Sequence, residues 1–402
     1  MSKYKIALIN NIAAEGLALF NNSYALSSDE KDPQALLVRS SQLDTDNYPS
    51  LLAVARAGAG VNNITVDKAT EKGICVFNTP GANANAVAEL VFIMLGISAR
   101  KIHSAIDFCN NLQGTTDEEI SKKVESQKKE FRGFELAGKT LGVLGLGQIG
   151  VRVANGGVQR QMKVLGFDPA PALENIHQLS PDVSIARSRR EIIERSDILT
   201  LHMPFSEKVR NCINADVLSR LPKGAILVNY ARGPLVEETA VLEALQSGQL
   251  ECYITDFPTA AMLRHPKILA SPHLGASTEE SEELCARMAV QEIRDYLEYG
   301  TITHSVNFPT VESSPADNVH TRLIMINHDV PGMIGFASQA IGAHGINIAS
   351  YINESNGTIG YNIIDVETPL SEDIINELSA HKDVIRIRTI TFGAEEETGD
   401  RE

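Results

Sequence analysis

The chain has 402 residues, a formal net charge of −15 at pH 7 and 43% hydrophobic residues. At roughly 100–200 residues per domain, this length predicts two to four domains. An acidic surface disfavours nucleic acids and anionic membranes as partners, and no apolar run reaches the roughly 18–20 residues that a membrane-spanning helix needs.

The five cysteines are scattered, and no two of them have the spacing of a metal site or a redox pair. They indicate reduced thiols, and no metal site is expected. The N-terminal segment 1–5 leads directly into a strand pattern at 6–9 instead of the longer apolar core of a signal peptide. Together these features predict a cytoplasmic protein.

Residues 1–86 have an α/β pattern, with strand candidates at 5–9, 35–38, 52–57 and 75–77. Three of these strands are followed by polar loops, at 39–41, 58–64 and 78–83. Ligands of open α/β sheets bind at the carboxyl ends of strands, so the three loops together predict an anion pocket, although each alone is equally consistent with a plain turn. The candidate substrate-binding residues are Arg39, Ser40, Gly58, Ala59, Gly60 and Asn83.

Helical spacing of apolar residues predicts one long helix over 87–112, between this region and the next. The segment 117–130 is dense in charges of both signs and indicates a solvated helical face. This charged segment is not expected to form a binding site.

The stretch 140–150 begins as an apolar strand and ends in three glycines, Gly145, Gly147 and Gly150. This is the GxGxxG spacing of a dinucleotide-binding turn, in which the following helix directs its N-terminal N–H groups at a pyrophosphate. A second apolar strand, 163–167, ends at Asp168, whose carboxylate can bond both ribose hydroxyls and would repel a 2′-phosphate. The pattern therefore predicts a dinucleotide site, and the acid favours NAD over NADP. The alternative is a glycine-rich turn beside a solvated acid, which does not explain the spacing.

Further strand candidates in this doubly wound domain lie at 198–201, 225–228, 251–255 and 268–270. Oxidation of a hydroxy acid needs a cation that binds the carboxylate and an acid/base that takes the hydroxyl proton. Arg232 and His273, in loops after two of these strands, suit the two roles and are the candidate catalytic residues. A helix predicted over 278–299 leads back to the first region, so two lobes with a cleft between them are expected.

At these residues the chain resembles the D-isomer-specific 2-hydroxyacid dehydrogenases. The matching motifs are 145–150 with Asp168, 202–204, 229–233 and 272–275. The resemblance implies that His273 is the acid/base, that Arg232 anchors the substrate carboxylate and that Asp256 contacts the nicotinamide end. The residues that it implies for NAD binding are Gly145, Gly147, Gln148, Ile149, Gly150, Asp168, His202, Met203, Pro204, Tyr230, Ala231, Arg232, Asp256, His273, Gly275 and Ala276.

One residue of the family pattern is missing. The family usually carries a glutamate a few residues after the position of Asp256, and this glutamate pairs with the histidine. Here the segment 256–261 has no further acid, and the next one is Glu279. We expect His273 to lack a carboxylate partner; Glu237 and Glu238 are less favoured substitutes, because their position is typical of a helix start.

Residues 306–318 read as a linker. Beyond them the predicted order is βαββαβ, which is ferredoxin-like, and the acidic tail 394–402 predicts disorder. The expected fold class is α/β, with two Rossmann-like or flavodoxin-like lobes and this C-terminal unit. The expected domains are a substrate-binding domain (1–86 and 276–316), an NAD-binding domain (87–275) and a C-terminal regulatory domain (320–392).

The C-terminal unit resembles an ACT domain, the amino-acid-sensing module of biosynthetic enzymes, in the segments 327–332 and 345–348. In serine-regulated members, the positions that match Asn327, Asp329 and Asn347 contact the ligand. L-serine is therefore a candidate effector, and the alternative is a unit that only mediates oligomerisation. A homodimer or homotetramer is the expectation that the resemblance gives.

The combination of this dehydrogenase with an ACT unit implies 3-phospho-D-glycerate as the substrate, oxidised in the first step of phosphorylated serine synthesis. Ser41 stands where better-known members have a second basic residue. The alternatives are a glyoxylate/hydroxypyruvate or other 2-hydroxyacid dehydrogenase, and an NAD(H)-sensing regulator without activity.

Overall fold

The computed structural model describes residues 4–114 and 116–392. The chain divides into two compact units, one formed by the segments up to residue 82 and from residue 282 onward, the other by residues 83–281. In the described ranges, no helix has both the length and the apolar character that crossing a membrane requires. The tail 394–402, for which disorder is predicted, lies outside the described residues, and the boundaries of the three expected domains stay a prediction.

The first unit contains a five-stranded parallel sheet in the order β2-β1-β3-β4-β5. Its strands are β1 (Tyr4–Leu8), β2 (Tyr24–Ser27), β3 (Ala35–Val38), β4 (Ala53–Arg56) and β5 (Cys75–Asn78), with helices α1 (Ala14–Leu17) and α2 (Val66–Glu71) and a 3-10 turn at Thr45–Asn47. All four side chains of β3 are buried, as expected for a strand covered on both faces. Strand β2 was not predicted, because three of the four side chains of this edge strand are exposed and its sequence does not have a strand-like pattern.

The second unit opens with helices α3 (Ala84–Ala99), α4 (Ile102–Asn110) and α5 (Asp117–Gln127), followed by a 3-10 turn at Lys128–Phe131. The prediction of one helix over 87–112 is wrong. Lys101, between α3 and α4, has a left-handed backbone with a φ of 50°, and a left-handed residue interrupts a right-handed helix. Neither α4 nor α5 contains a buried residue.

A seven-stranded parallel sheet follows in the order β12-β11-β10-β9-β6-β7-β8. Its elements are β6 (Thr140–Leu144), α6 (Gln148–Gln159), β7 (Lys163–Phe167), α7 (Leu173–His177), β8 (Ser184–Ile185), α8 (Arg189–Arg195), β9 (Ile198–Leu201), α9 (Ala215–Arg220), β10 (Ala225–Asn229), α10 (Glu238–Ser247), β11 (Leu250–Thr255) and β12 (Ile268–Ala270), with 3-10 turns at Glu207–Val209 and Gly233–Leu235. The strand order reverses between β6 and β9. Ligands of such sheets bind beyond the carboxyl ends of the strands at this point.

Helix α11 (Glu279–Tyr299) leads to an antiparallel sheet in the order β14-β15-β13-β16. The elements are β13 (Thr321–His328), α12 (Met333–Ala343), β14 (Ile348–Ser355), β15 (Ile359–Val366), α13 (Glu372–Ser379) and β16 (Val384–Thr391). This is the expected βαββαβ order, and the predicted fold class, α/β with two parallel sheets and a C-terminal ferredoxin-like unit, is confirmed.

Side chains of the antiparallel sheet satisfy the C-terminal carbonyl groups of α11. Arg322 donates to the carbonyl oxygen of Tyr299 at 2.7 Å, and the hydroxyl of Tyr361 donates to that of Gly300 at 2.7 Å. The Arg322 side chain is fully buried and makes two parallel hydrogen bonds to Asp365, of 2.7 and 2.8 Å. A cation at the negative end of a helix dipole is stabilising, so this ion pair joins the sheet to α11.

Candidate active site

The loop between β6 and α6 requires glycine at two of its three predicted positions. Gly145 has a φ of 95°, and a Cβ atom built on it would lie 2.5 Å from the carbonyl oxygen of His202. A Cβ atom on Gly150 would lie 1.9 Å from the carbonyl oxygen of Gly145, so a side chain there would push α6 away from β6.

Gly147 precedes the first turn of α6, which Gln148 and Ile149 open. Apart from its chain neighbours, no described atom lies within 4 Å of the position that a Cβ of Gly147 would take. The first N–H groups of a helix have no partner within the helix, and here they adjoin open space. This arrangement fits the pyrophosphate of a dinucleotide.

Asp168 follows β7 and lies beside the glycine turn, because β7 pairs in parallel with β6. One oxygen of its carboxylate accepts from the amide of Leu146 at 2.8 Å, and the other accepts from the amide of Ala170 at 2.9 Å. The side chain is partly exposed. The remaining lone pairs of the carboxylate are therefore available to ribose hydroxyl groups.

His202, Met203 and Pro204 follow β9, the neighbour of β6 at the reversal of strand order. The imidazole Nε2 of His202 lies 2.8 Å from the hydroxyl oxygen of Thr200. Its Nδ1 is buried and has no hydrogen-bond partner in the described part of the chain. Burial lowers the pKa of His202 to about 3, so the ring is neutral at pH 7 and offers an unmatched nitrogen to a ligand.

The turn after β10 carries Tyr230, Ala231 and Arg232. Arg232 is half-buried, and its guanidinium donates to the carbonyl oxygen of Ala231 at 2.7 Å. The side chain of Asn229, the last residue of β10, bonds to two backbone groups of this turn. The sequence analysis did not single out Asn229, although it begins the motif that contains Arg232.

Asp256 follows β11, and His273 lies in the loop after β12, which pairs in parallel with β11. The Asp256 side chain is 3% exposed, and its Oδ1 has no hydrogen-bond partner among the residues described. Burial raises the pKa of Asp256, and the positive charges of His273 and Arg232 partly oppose this rise. The three side chains are thus close enough to influence one another electrostatically.

Gly275 and Ala276 continue the loop after His273. A Cβ atom on Gly275 would lie 3.7 Å from Oδ2 of Asp256, so this part of the loop lies next to the carboxylate.

His273 is exposed, and its ring meets the ring of Phe257 edge-on, with 5.1 Å between the centroids. Within residues 4–114 and 116–392, no carboxylate forms an ion pair with it at 4.0 Å or less. Glu237 and Glu238 lie at the start of α10. An aromatic contact thus accompanies His273, and among the described residues no carboxylate lies within ion-pair distance of it.

In the first unit, Arg39 and Ser40 follow β3. The amide groups of both donate to Oδ1 of Asn10, at 2.8 and 3.1 Å. The guanidinium of Arg39 is hydrogen-bonded to Glu282. The loop is therefore tied at its backbone, and its cation already has an acidic partner that an anionic ligand would have to displace.

Arg56, the last residue of β4, is a candidate that the sequence analysis missed. Its Nε donates to the carbonyl oxygen of Arg39 at 2.9 Å. A Cβ atom on Gly58 would lie 2.7 Å from its Nη1, so the guanidinium lies against the loop that begins at Gly58. The signal was available, because an arginine ends the strand before a glycine-rich loop, and Arg56 supplies a second cation where Ser41 does not.

The other candidate residues divide between the two units. Asn83 directly precedes α3 in the second unit without a capping hydrogen bond, and its buried Oδ1 has no partner among the described residues. In the antiparallel sheet, Asn327 is 2% exposed and its amide is bonded to the backbone of His328 and to Asn362. Asp329 and Asn347 are exposed, so they are more available to a ligand than Asn327.

A cavity of about 1220 Å³ lies at the amino ends of strands of the seven-stranded sheet. Its lining includes Lys139, Asp197 and Gly224, which directly precede β6, β9 and β10. The candidate catalytic residues follow the carboxyl ends of the strands, so they do not line this cavity. In the described part of the chain, no group of three or more His, Cys, Asp or Glu side chains is arranged to hold a metal ion.

Comparison with known proteins gives a consistent result. The sequence model of the D-isomer specific 2-hydroxyacid dehydrogenase NAD-binding domain matches residues 102–275. The D-3-phosphoglycerate dehydrogenase of Methanocaldococcus jannaschii is 34% identical over 291 residues, which are 70% of this chain and 53% of that protein. The hydroxypyruvate reductase of Thermotoga maritima is 32% identical over 319 residues, which are 73% of this chain and 98% of that protein.

Among solved structures, the NAD⁺-bound 3-phosphoglycerate dehydrogenase of Entamoeba histolytica matches with a TM-score of 0.61 and 25% identity, covering 76% of this chain and 99% of that one. The chain spans about half the length of the phosphoglycerate dehydrogenases that it matches. The matched NAD-binding domain contains the glycine turn, Asp168, Arg232 and His273, and its cofactor is NAD. The chain belongs to the D-isomer specific 2-hydroxyacid dehydrogenase family.

Proposed function

We propose that this chain is an NAD-dependent dehydrogenase that oxidises 3-phospho-D-glycerate to 3-phosphohydroxypyruvate. The observation that carries the proposal is the convergence of Arg232, His273 and Asp256 at the carboxyl edge of the seven-stranded sheet that holds the glycine turn. A cation, an exposed imidazole and a buried carboxylate are the groups that oxidation of a hydroxy acid at a dinucleotide requires.

In the proposed mechanism, Arg232 binds the carboxylate of the substrate and holds C2 in position. Bound NAD⁺ supplies the acceptor for the hydride that leaves C2. His273 takes the hydroxyl proton on its imidazole, and in the reverse direction it returns this proton to the keto oxygen. Asp256 interacts electrostatically with both His273 and Arg232 at this site.

Arg39, Ser40 and the loop Gly58–Gly60 remain the proposed anion-binding residues, and we add Arg56 to them. Two guanidinium groups in one loop cluster suit a phosphate, which carries up to two negative charges. Several matched relatives are named as phosphoglycerate dehydrogenases, which supports this substrate over other hydroxy acids.

A second candidate substrate is hydroxypyruvate or glyoxylate. It is favoured by the Thermotoga relative, since this chain covers 98% of that hydroxypyruvate reductase. The ion pair between Arg39 and Glu282 also favours a smaller substrate, because it reduces the positive charge that a phosphate would meet.

We also propose that the βαββαβ unit is an ACT domain that responds to L-serine. Asp329 and Asn347 are the polar side chains that support it. A homodimer or homotetramer is proposed as the assembly, and light scattering of the purified protein tests it.

The deciding experiment is the oxidation of NADH with 3-phosphohydroxypyruvate, hydroxypyruvate or glyoxylate, with and without L-serine. We expect turnover with the phosphorylated substrate that is lost in His273→Ala. Faster turnover with hydroxypyruvate would select the second candidate. NADH binding without turnover of any oxo acid would favour the non-catalytic NAD(H)-sensing regulator. Rates unchanged by millimolar L-serine would contradict only its proposed role as an effector.

A further inference from the structure

The segment 304–307 lies along the open edge of β5 and extends the five-stranded sheet. The amide of Val306 donates to the carbonyl oxygen of Val76 at 2.9 Å, and the amide of Asn78 donates to that of His304 at 3.2 Å. These are sheet-like contacts at the carboxyl end of β5. The segment therefore holds the strand that leads into the loop beginning at Asn78.

Asn307 strengthens this attachment with its side chain. Its Oδ1 accepts from the amide of Val76 at 2.9 Å, and its Nδ2 donates to the carbonyl oxygen of Ile74 at 2.9 Å and to the hydroxyl of Thr70 at 3.0 Å. The side-chain amide of Asn307 thus makes the hydrogen bonds to β5 that the backbone of a neighbouring strand would make. These bonds fix the register of the segment on β5.

The other end of the segment is held by a buried acid on α11. Oε1 of Glu292 lies 2.8 Å from Nδ1 of His304. Glu292 is 4% exposed, whereas the His304 side chain is 44% exposed. Oε2 of Glu292 is buried without a hydrogen-bond partner in the described residues, so the contact with His304 is the one that Glu292 makes through its carboxylate.

From His304 the contacts lead to the predicted anion-binding loop. Asn78, whose amide is held by the His304 carbonyl, donates from its side chain to the carbonyl oxygen of Ala59 at 2.6 Å. The amide of Thr79 donates to the carbonyl oxygen of Gly58 at 3.2 Å. The loop therefore has two hydrogen bonds to the end of β5, and this strand end is held by β4 on one side and by the backbone of His304 on the other.

The surroundings of Glu292 favour its protonated form. Burial raises the pKa of Glu292 to about 9, and Asp295 on the same helix adds to the rise. Cys75, on β5, is buried and lies close enough to Glu292 and to Arg388 of β16 to interact with them electrostatically. At neutral pH the Glu292 carboxyl group therefore holds a proton, which it loses as the pH approaches its pKa of about 9.

We propose that Glu292 and His304 are a positioning pair that holds the loop Gly58–Gly60 in the shape that binds an anionic substrate. The proposal rests on the proposed function for the identity of the substrate and on the contacts above for the pair itself. Neither residue touches the substrate; the pair acts through Asn78.

The test compares Glu292→Leu, which removes the contact, with Glu292→Gln, which keeps a partner for His304 and cannot titrate. Glu298→Gln on the same helix is the control, since Glu298 contacts Tyr24 and Arg294 instead. Hydrogen exchange of residues 58–63 and the KM for 3-phosphohydroxypyruvate between pH 6 and 9 are measured on the full chain, with exchange in α6 as the internal reference.

We expect Glu292→Leu to increase the exchange rate of residues 58–63 about tenfold and to raise the KM for 3-phosphohydroxypyruvate by a similar factor. A tenfold change corresponds to about 1.4 kcal/mol, which is typical of the loss of one hydrogen bond. The kcat and the KM for NADH should not change. Glu292→Gln should restore both quantities at pH 7. It should also lack the rise in KM that we expect of the wild type as Glu292 loses its proton toward pH 9.

Unchanged exchange in Glu292→Leu, or a wild-type pH profile of KM in Glu292→Gln, would overturn the positioning role. If the wild type does not reduce 3-phosphohydroxypyruvate, the proposed function fails, and the exchange of 58–63 alone decides the role of the pair.

Discussion

The buried amide of Asn229 is hydrogen-bonded to both sides of the turn that carries Arg232. Its Oδ1 accepts from the amide of Ala231 at 3.1 Å, and its Nδ2 donates to the carbonyl oxygen of Arg232 at 3.0 Å. Asn229 has no exposed surface, so no water competes for these bonds. The direction of the Arg232 side chain therefore depends on a residue that is not itself exposed to substrate.

Asn229→Ala should lower kcat/KM for the hydroxy acid about 100-fold, the typical result of a small misplacement of a substrate-binding group. The KM for NAD should change little. Steady-state kinetics measure both quantities. Asn214→Ala, which removes only the cap of α9, is the control and should lower stability without this kinetic loss; equal kinetic losses in the two variants would contradict the positioning role.

Substitution of the glycines should separate cofactor binding from stability. Gly147→Ala places a methyl group in open space, so thermal stability should be unchanged while the Kd for NADH rises. Gly150→Ala brings a methyl group against the backbone of Gly145 and should lower the Tm as well. Calorimetry and NADH titration of both variants check this, and a stable Gly150→Ala protein with normal affinity would refute it.

Asp168→Asn should raise the KM for NAD about tenfold and reduce the preference for NAD over NADP, because the neutral amide no longer repels a 2′-phosphate. Since the carboxylate also accepts from the amide of Leu146, part of the loss should come from a looser glycine turn. The ratio of kcat/KM values for the two cofactors is the measurement. An unchanged ratio would show that Asp168 does not select the cofactor.

The Arg322–Asp365 pair predicts strong coupling between two substitutions. Arg322→Met leaves a buried carboxylate without its cation and should lower the free energy of unfolding by about 3–5 kcal/mol. In the double variant that also carries Asp365→Leu, the free energy of unfolding should decrease by less than the sum of the decreases in the two single variants. Denaturant unfolding of the four proteins measures the coupling energy, and additive losses would argue against a mutual interaction.

Glu292 predicts a pH-dependent stability. Its ordinary pKa is 4.5 and burial raises it to about 9, so between these values the folded protein keeps a proton that the unfolded chain releases. The contribution of Glu292 to the free energy of unfolding therefore decreases as the pH rises from about 4.5 to about 9. The Tm of Glu292→Gln relative to wild type should increase from pH 5 to pH 9; a constant difference would show that Glu292 titrates normally.

The sequence by itself predicted the parts of the molecule whose signal is local. The GxGxxG turn with Asp168 and the βαββαβ order depend on residues close in the chain, where turn geometry and periodicity act directly. Arg232 and His273 were predicted as candidate catalytic residues, because each lies in a motif next to a strand end.

Tertiary structure decided the contacts that join distant segments. Arg56 beside Gly58, Asn229 under the Arg232 turn and Glu292 against His304 all involve side chains whose partners are set by sheet order and helix packing. The break at Lys101 was missed because apolar spacing continues across it, and the left-handed backbone of a single residue does not interrupt that spacing. The sequence alone therefore predicted the cofactor and a candidate reaction, and the fold determined which side chains contact the candidate site residues.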